Sequence, residues 1–391
     1  MLIEIKGVQF VNKGAELMLA SIISQLAKEL PSADICLAHN KNSPYKNRAR
    51  VGAYQKINLR KNIIDLNGVF YFFPRFILNY FKNRFGIVTE ADVDVVLDAS
   101  GFSYGDQWSD VIIKQVANEV SRFKKKRKHY IFMPQSLGPF TRKSNRLSAK
   151  KAFKNASLVF AREEPSYKHV NSITPQLNSL KKAPDFTNVL LPKNISEYAK
   201  YQGYLIVIPN SKMLSTKNNN KWWYENYIPT IVKLINKAAD NKISAMILNH
   251  SGVDDLALCE SIQAQLNQQC DIVNPQSAIE VKAIIANARS VFSSRFHGCV
   301  SALSQGVPCI ATGWSHKYTE LFDEYDVGKY LLPPEVAEES LIQTLDSVIN
   351  EEEALRTGLL SKSKHFKKLT GSMWQDIFDV IKCKEDGGKC Y

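Results

Sequence analysis

The sequence lacks any uninterrupted apolar run of the roughly 18–20 residues that a membrane-spanning helix needs. Its amino terminus carries an acid, Glu4, where a secretion signal would carry positive charge, and it runs directly into an apolar stretch typical of a strand. The Gly-x-Ser-x-Gly motif of serine hydrolases is also missing. These absences predict a cytoplasmic protein without a leader peptide and exclude one class of hydrolase.

Cysteine pairs are missing as well. The seven cysteines are scattered, and none lies in a Cys-x-x-Cys pair, which argues against a disulfide framework and against a structural zinc site. Four other side chains resemble metal ligands in type, but their spacing matches no known signature and basic neighbours would repel a cation. These four are His250, Asp254, His297 and His316. We therefore expect neither a metal nor a cofactor.

Negative charge is scarce relative to positive charge, and the formal net charge is +13. Such an excess favours a negatively charged partner: nucleic acid, an anionic membrane surface or a phosphorylated substrate. No nucleic-acid-binding module is recognisable, so we expect no nucleic acid. A lysine-rich surface that is merely solvated would give the same count, and this alternative stays open.

Strand and helix patterns alternate along the chain, which favours parallel sheets with helical crossovers. The alternation runs from residue 2 to about 160, pauses over Lys181–Glu197 and restarts at Tyr204. We therefore predict two Rossmann-like domains in a GT-B-like α/β fold, with the active site in the cleft between them. The predicted boundaries are residues 1–190 on the acceptor side, 198–335 on the donor side, and 336–391 for C-terminal helices with a flexible tail.

The clearest candidate site is the turn Ser293-Ser294-Arg295-Phe296-His297-Gly298, between a predicted strand and a predicted helix. A helix amino terminus attracts anions, and Gly298 belongs to that terminus. Arg295 can hold a carboxylate or a phosphate with two hydrogen bonds, and His297 can transfer a proton near neutral pH. The structural alternative is that His297 caps the helix and Arg295 pairs with a surface acid.

A second candidate is the loop Asn12-Lys13-Gly14-Ala15-Glu16, which follows the first predicted strand. Gly14 permits close approach of a ligand, and Asn12 can cap the following helix. A plain helix cap explains the loop equally well. The loop matches neither a P-loop nor a dinucleotide-binding motif.

Further polar residues follow other predicted strands, where the carboxyl ends of parallel strands face a ligand. Turn chemistry without a ligand is the alternative for each of them. The candidates for substrate binding are Ser100, Gly101, Asp106, Gln135, Arg162, His250, Asp254 and Lys317.

Together these motifs resemble the polysaccharide pyruvyl transferase family over residues 1–330. The resemblance rests on the Asn12–Glu16 loop, Gly101–Asp106, Pro134–Pro139, Ala161–Glu163, Pro184-Asp185 and the turn Ser294–Gly298 with Lys317 downstream. The family loop often carries an acid where this chain has Ala15.

The resemblance implies a GT-B-like fold and a defined reaction. Such an enzyme moves the enolpyruvyl unit of phosphoenolpyruvate (PEP) onto two hydroxyls of one sugar as a cyclic ketal. It implies that Arg295 grips PEP and that His297 is the general acid. The pathway implied is the biosynthesis of exopolysaccharide, capsule or cell-wall polysaccharide.

The segment Val69–Phe85 is dense in aromatic residues interleaved with basic ones. An interfacial helix or hairpin on an anionic leaflet has this composition, and a lipid-diphosphate-linked saccharide acceptor would explain it. The expected location is then the inner face of the plasma membrane. A packed insertion or a dimer contact is the structural alternative.

Two other functions fit the same pattern. A GT-B glycosyltransferase that uses a nucleotide sugar shares the fold and the basic site, and Glu320 or Asp323 could bind its ribose. A membrane-associated scaffold of an envelope-assembly complex would keep the fold without turnover. The Arg295 and His297 pair argues mildly against the scaffold.

Overall fold

Short aliphatic runs build the strands of this protein, since they are buried on both faces of parallel sheets. The structure, a computed structural model, describes residues 1–61, 63–192, 196–215, 218, 220–313 and 315–382. The described chain divides into two compact units. The first contains Met1–Phe10, Ser21–Phe186 and the chain from Leu369 on, and the second contains Val11–Ala20 and Thr187–Lys368.

The first unit is built on an eight-stranded parallel sheet of order β10-β9-β8-β7-β1-β2-β3-β6, with a separate antiparallel hairpin, β4–β5. Its elements, with α1 running on from the second unit, are β1 (Leu2–Lys6), α1 (Lys13–Glu29), β2 (Asp34–Ala38), α2 (Tyr45–Arg50), β3 (Tyr54–Lys56), β4 (Arg60–Lys61), β5 (Ile64–Asp65), α3 (Arg75–Phe85), β6 (Ile87–Val88), β7 (Val95–Asp98), α4 (Asp110–Lys125), β8 (His129–Gln135), α5 (Lys143–Asn155), β9 (Leu158–Ala161), α6 (Glu164–Ile173) and β10 (Leu180–Lys182).

The second unit is built on a six-stranded parallel sheet of order β13-β12-β11-β14-β15-β16. Its elements are β11 (Leu205–Ile208), α7 (Trp222–Asp240), β12 (Ala245–Leu248), α8 (Gly252–Gln263), β13 (Asp271–Val273), α9 (Ala278–Ala286), β14 (Ser290–Ser293), α10 (Phe296–Leu303), β15 (Cys309–Thr312), α11 (Lys317–Glu324), β16 (Leu331–Leu332), α12 (Glu338–Asn350) and α13 (Glu352–Lys382), whose last turns belong to the first unit.

Each sheet has its own hydrophobic core. In the first unit, Phe123 of α4, Phe132 of β8 and Phe153 of α5 are fully buried together. In the second, Trp223 and Tyr227 of α7 pack against the buried strands β11 and β14. The prediction of two Rossmann-like parallel-sheet domains is therefore confirmed.

The division differs in detail from the predicted boundaries. Residues 11–20 group with the second unit, and the chain from Leu369 groups with the first. The predicted connection at Lys181–Glu197 begins inside strand β10 and contains a short 3₁₀ helix, Phe186–Val189. The predicted flexible tail, residues 384–391, lies outside the described residues. None of the described helices has both the length and the apolar character that crossing a bilayer requires.

Candidate active site

The turn between β14 and α10 holds Arg295 and His297. Arg295 stands at the N-cap position of α10, and its backbone N–H donates to Ser293 Oγ at 3.1 Å. A Cβ atom on Gly298 would come within 2.5 Å of Ser293 Oγ and 3.2 Å of an Ile208 methyl group. Residue 298 therefore has to be glycine for the helix to begin here, so Gly298 shapes the turn.

Ser294 fixes this turn to its surroundings. Its carbonyl accepts hydrogen bonds from Asn210 Nδ2 and from the Tyr318 hydroxyl, both at 2.9 Å. Its own hydroxyl accepts from the Tyr227 hydroxyl at 2.7 Å. All of these groups are buried, where a hydrogen bond is costly to lose. The backbone that carries Arg295 is thereby held by three separate elements.

Arg295 pairs with Asp255, which is completely buried in α8. The Nη2 group of Arg295 donates to both carboxylate oxygens, and Ser211 donates to the same carboxylate from its N–H at 3.1 Å and its hydroxyl at 2.9 Å. The Nε atom of Arg295 is buried and has no hydrogen-bond partner among the described residues. Asp255 thus orients the guanidinium and leaves part of its fork for another acceptor.

Asp254, which the sequence predicts to bind substrate, differs in exposure from its neighbour Asp255. Its side chain is exposed, and its neighbour Asp255 makes the contact to Arg295. Asp255 could have been recognised from the sequence, because it heads the apolar face of α8 formed by Leu258, Cys259 and Ile262. A carboxylate at a core-facing position needs a partner, and Arg295 provides it.

The Asn12–Glu16 loop belongs to the same unit as the Arg295 turn. Asn12 caps α1, since its Oδ1 accepts from the Gly14 N–H at 2.9 Å. The Lys13 ammonium pairs with Glu16 at 2.8 Å, so Glu16 holds Lys13. A Cβ atom on Gly14 would lie 2.5 Å from Nδ1 of His297. The absence of a side chain at residue 14 therefore lets the loop reach the His297 ring.

The loop also contacts the start of α8. The Lys13 N–H donates to the His250 carbonyl at 3.1 Å, and Asn12 forms a β-bridge with Ser251. The second unit contains nine of the residues predicted for the site, which are Asn12, Gly14, Glu16, His250, Asp254, Arg295, His297, Gly298 and Lys317.

Further cations surround the turn. The Lys317 ammonium lies over the Phe296 ring, 5.0 Å from its centroid, directly beside the two predicted catalytic residues. Burial, and then the positive charge of Arg295, lowers the pKa of Lys212, which follows β11. Sequence analysis missed Lys212, because nothing in its neighbourhood forms a motif. A site with this concentration of positive charge suits a small anion.

The remaining predicted residues lie in the first unit, at the carboxyl edge of its sheet. Asp106 accepts from the Thr141 N–H and hydroxyl and from Asn145 Nδ2, and these bonds lower its pKa to about 2 against the opposing effect of burial. Gln135 is fully buried, and its Nε2 donates to the Asp98 carbonyl. Asp106 therefore has structural partners, whereas Gln135 Oε1 is buried without a hydrogen-bond partner among the described residues.

Three more of the predicted residues are tied into the same edge. The Ser100 hydroxyl donates to Asp98 at 2.5 Å, and the Gly101 carbonyl accepts from the Ser136 N–H. Arg162 is buried and donates to Ser136 Oγ at 2.7 Å. Ser100 and Gly101 stay half-buried, so they remain accessible to a ligand.

The family model described as polysaccharide pyruvyl transferase matches residues 12–316. The chain belongs to the polysaccharide pyruvyl transferase family. The match begins at the Asn12 loop and ends beyond the Arg295 turn, so it includes both halves of the site in the second unit. A search of curated proteins found no match.

Solved structures show that this pyruvyl transferase family member has a GT-B-like fold. It is similar to UDP-GlcNAc 2-epimerase from Neisseria meningitidis (TM-score 0.61, 11% identity, 97% of this chain and 99% of that one). It is also similar to HepE from Anabaena, solved with UDP and glucose (TM-score 0.57, 12% identity, 97% of this chain and 99% of that one). The UDP-GlcNAc 2-epimerase from Methanocaldococcus jannaschii is similar with a TM-score of 0.53 and 14% identity, over 90% of this chain and 93% of that one. At these identities the likeness shows the fold alone, and it confirms the GT-B-like prediction.

The protonation of His250 is strongly biased in this family member. Burial, followed by the positive charges of Arg295, His297 and Lys13, lowers its pKa well below the ordinary value. Its Nδ1 is buried without a hydrogen-bond partner among the described residues. His250 is therefore neutral near pH 7 and is poorly suited to donate a proton there.

Acidification from pH 7 to pH 5 should destabilise the wild-type chain more than a His250→Gln variant. Below the unfolded-state pKa of roughly 6.5, the unfolded chain takes up a proton at residue 250 that the folded chain refuses. The free energy of unfolding then falls by at most about 1.4 kcal/mol per pH unit. Urea unfolding at several pH values measures the slope. His365→Gln, an exposed histidine in the same unit, is the control, and equal slopes for wild type and His250→Gln would contradict the prediction.

Proposed function

We propose that this chain transfers the enolpyruvyl unit of PEP onto two hydroxyls of one sugar, forming a cyclic pyruvate ketal during envelope or exopolysaccharide biosynthesis. The observation that carries the proposal is the packing of the Gly14 loop against His297, beside Arg295, in a chain that belongs to this family. PEP is small and carries both a carboxylate and a phosphate, which suits the cationic surroundings of Arg295.

The first step of the proposed reaction is proton transfer. His297 donates a proton to the methylene carbon of PEP, and positive charge develops at C2, where the phosphate ester oxygen stabilises it. A sugar hydroxyl attacks C2, forms a C–O bond and releases its proton. Arg295 holds the anionic groups of PEP during this step, with Asp255 keeping the guanidinium in place.

The second step closes the ketal. The phosphate leaves C2 with its bonding electrons, and a second hydroxyl of the same sugar attacks C2 and loses its proton. The products are the ketal and inorganic phosphate, so atoms and charge balance. The His297 imidazole, which has lost its proton in the first step, accepts one of the hydroxyl protons. The scheme requires no cofactor beyond PEP as donor substrate.

The test is a reconstitution with purified protein, PEP and saccharides extracted with membrane lipids. Inorganic phosphate should be released only when PEP and the acceptor are both present, and the acceptor should gain the mass of pyruvic acid minus one water. Calorimetry should show binding of PEP and none of UDP-sugars. Binding of a UDP-sugar without PEP binding would favour the nucleotide-sugar glycosyltransferase, and PEP binding without turnover would favour the scaffold.

We also propose that the acceptor is lipid-linked and that the first unit contacts an anionic membrane. Val69–Phe85 forms a 3₁₀ helix, Asn67–Phe72, followed by α3, anchored by buried Phe70 and Leu78. Phe72 and Phe76, four residues apart, are 88% and 74% exposed. Residues 60–85 contain five basic residues and one acid. Exposed aromatic rings among basic side chains fit a negatively charged lipid surface.

Replacing Phe72, Phe73 and Phe76 by serine should abolish sedimentation with vesicles that contain phosphatidylglycerol. The three rings supply the apolar area that enters the interface, and the remaining basic residues alone bind weakly at physiological salt. Co-sedimentation with phosphatidylglycerol and with phosphatidylcholine vesicles measures the effect. Leu147→Ser, which removes an exposed apolar side chain on α5 of the same unit, is the matched control. Undiminished pelleting of the triple variant would rule the segment out as the anchor.

A further inference from the structure

A cavity of about 170 Å³ opens at the carboxyl ends of β1, β2 and β3 in the first unit. It adjoins the point where the strand order reverses, since the chain runs from β1 to β2 and β3 on one side and returns to β7 on the other. Open α/β sheets bind ligands near such a point. The proposed reaction at the Arg295 turn uses none of the residues that line this cavity.

The cavity is lined by three cations and two carboxylates. The cations are Lys6, Lys56 and Arg60, and the carboxylates are Glu4 and Glu119. His39, Asn40 and Asn58 add further polar groups to the lining.

The buried carboxylates form ion pairs with the three cations. Glu119 accepts from the Lys6 ammonium at 2.5 Å and from Arg60 Nη2 at 3.2 Å, and Lys56 lies 3.6 Å from the same carboxylate. Burial opposes the ionisation of Glu119, but these three cations outweigh it and lower its pKa below the ordinary range. Glu4 pairs with Lys56, and burial raises the pKa of Glu4. Glu119 is therefore the carboxylate that holds the three cations in fixed positions.

The accessible part of the cluster is positive. The side chains of Lys6 and Arg60 are 20% and 13% exposed, whereas those of Glu4 and Glu119 are 3% and 2% exposed. Arg60 also pairs with Asp65, yet its Nε atom has no hydrogen-bond partner among the described residues. A molecule that enters the cavity thus meets ammonium and guanidinium donors while the acceptors stay beneath them.

The hairpin β4–β5 links this cavity to the proposed membrane surface. Arg60 lies on β4 and lines the cavity, and Ile63, directly before β5, and Ile64, its first residue, are strongly exposed and apolar. One hairpin therefore carries a cavity cation at its base and an apolar tip. A phosphate held at the surface of a bilayer by a lipid chain has this arrangement of charge beside apolar material.

We propose that this cavity binds the phosphate or diphosphate group that joins the acceptor saccharide to its lipid. The inference rests on the proposed function in taking the acceptor to be lipid-linked. Lys6 and Arg60 bind the phosphate oxygens with charge-assisted hydrogen bonds, and Asn58 completes the wall. The cavity in the first unit thereby selects acceptors by their phosphate linkage, whatever their sugar.

The test variant is Asn58→Asp, which keeps the shape of the side chain. Asn58 Oδ1 accepts from Asn67 Nδ2 at 3.1 Å, and a carboxylate accepts the same bond. The variant therefore adds a negative charge to the cavity wall without removing a partner of the buried cluster. Farnesyl diphosphate serves as the probe in calorimetric titrations, and its affinity should fall at least about tenfold through charge repulsion. Asn118→Asp, an exposed position on α4 that accepts from Lys151, adds the same charge elsewhere and should bind as wild type.

Two further titrations separate the contribution of the phosphate group to binding from that of the apolar chain. Farnesol and inorganic diphosphate should each bind much more weakly than farnesyl diphosphate. Equal affinities of wild type and Asn58→Asp for farnesyl diphosphate would overturn the proposal. So would inorganic diphosphate binding as tightly as the farnesyl ester, because the site would then take a free anion. These titrations contain neither PEP nor a sugar, so their failure is separate from a failure of ketal formation in the reconstitution.

Discussion

Replacing His297 by asparagine is expected to slow turnover at least about a hundredfold while PEP still binds nearly as in the wild type. A positioned general acid contributes about 10²–10⁴-fold to a rate, and an amide cannot deliver a proton to carbon. A loss in turnover without a loss in affinity is the pattern of a group that acts mainly in the transition state.

The geometry explains why asparagine is a fair replacement. The His297 ring is half-buried, stands edge-on to Phe296 with centroids 5.5 Å apart, and has the backbone of Gly14 against it. Asparagine is smaller than histidine and keeps a hydrogen-bonding amide, so it introduces no clash with the loop. A structural role for His297 predicts a different result, since a lost ring contact would lower the melting temperature.

Turnover and melting temperature should be measured on the same preparation of the variant. His365→Asn, an exposed histidine on α13 in the same unit, is the matched control and should match wild type in both. A His297→Asn variant that melts lower and still turns over at the wild-type rate would remove His297 from the mechanism. The low pKa of His250 makes that residue a poor substitute as the acid.

The sheets could be predicted because their central strands are clear runs of aliphatic residues. Residues 205–208 read Leu-Ile-Val-Ile and residues 95–98 read Val-Val-Leu-Asp, and both form fully buried central strands. The short strands at and next to the sheet edges are different. The strands β3, β6 and β16 have two or three residues each, too few for a periodic pattern, and pairing with a neighbour defines them. Tertiary context of this kind is absent from a local sequence window.

Prediction of the candidate site is limited in the same way, by tertiary context that the local sequence does not contain. Arg295, His297 and His250 were found because each follows a strand, and strand ends in one sheet converge. The assignment of Asn12 and Gly14 to the second unit was not predictable, because it depends on packing between residues more than two hundred positions apart. The choice between Asp254 and Asp255 turned on one helical position, which decides whether a carboxylate faces solvent or Arg295.

Replacing Arg295 by lysine is expected to weaken PEP binding by roughly 1–3 kcal/mol, the value of one or two charge-assisted hydrogen bonds. In the wild type, Asp255 accepts from Nη2, and the Nε atom of the planar fork has no hydrogen-bond partner among the described residues. A single ammonium on a flexible stem can pair with Asp255 or with the donor anion, but it lacks the fork that serves both. Positive charge is conserved, so any loss of affinity reports geometry.

Calorimetric titration with PEP measures this loss, and unfolding of the same samples shows whether the buried Asp255 still has a partner. Arg289→Lys is the matched control, because Arg289 lies in the same unit, just before β14, and pairs with Glu352 at 2.8 Å. Its affinity for PEP should equal that of the wild type. If Arg295→Lys binds PEP as tightly as the control, the clamp lies elsewhere among the neighbouring cations, and Lys317 and Lys212 become the residues to replace. If its affinity falls while its stability is unchanged, the guanidinium fork of Arg295 is what holds the donor.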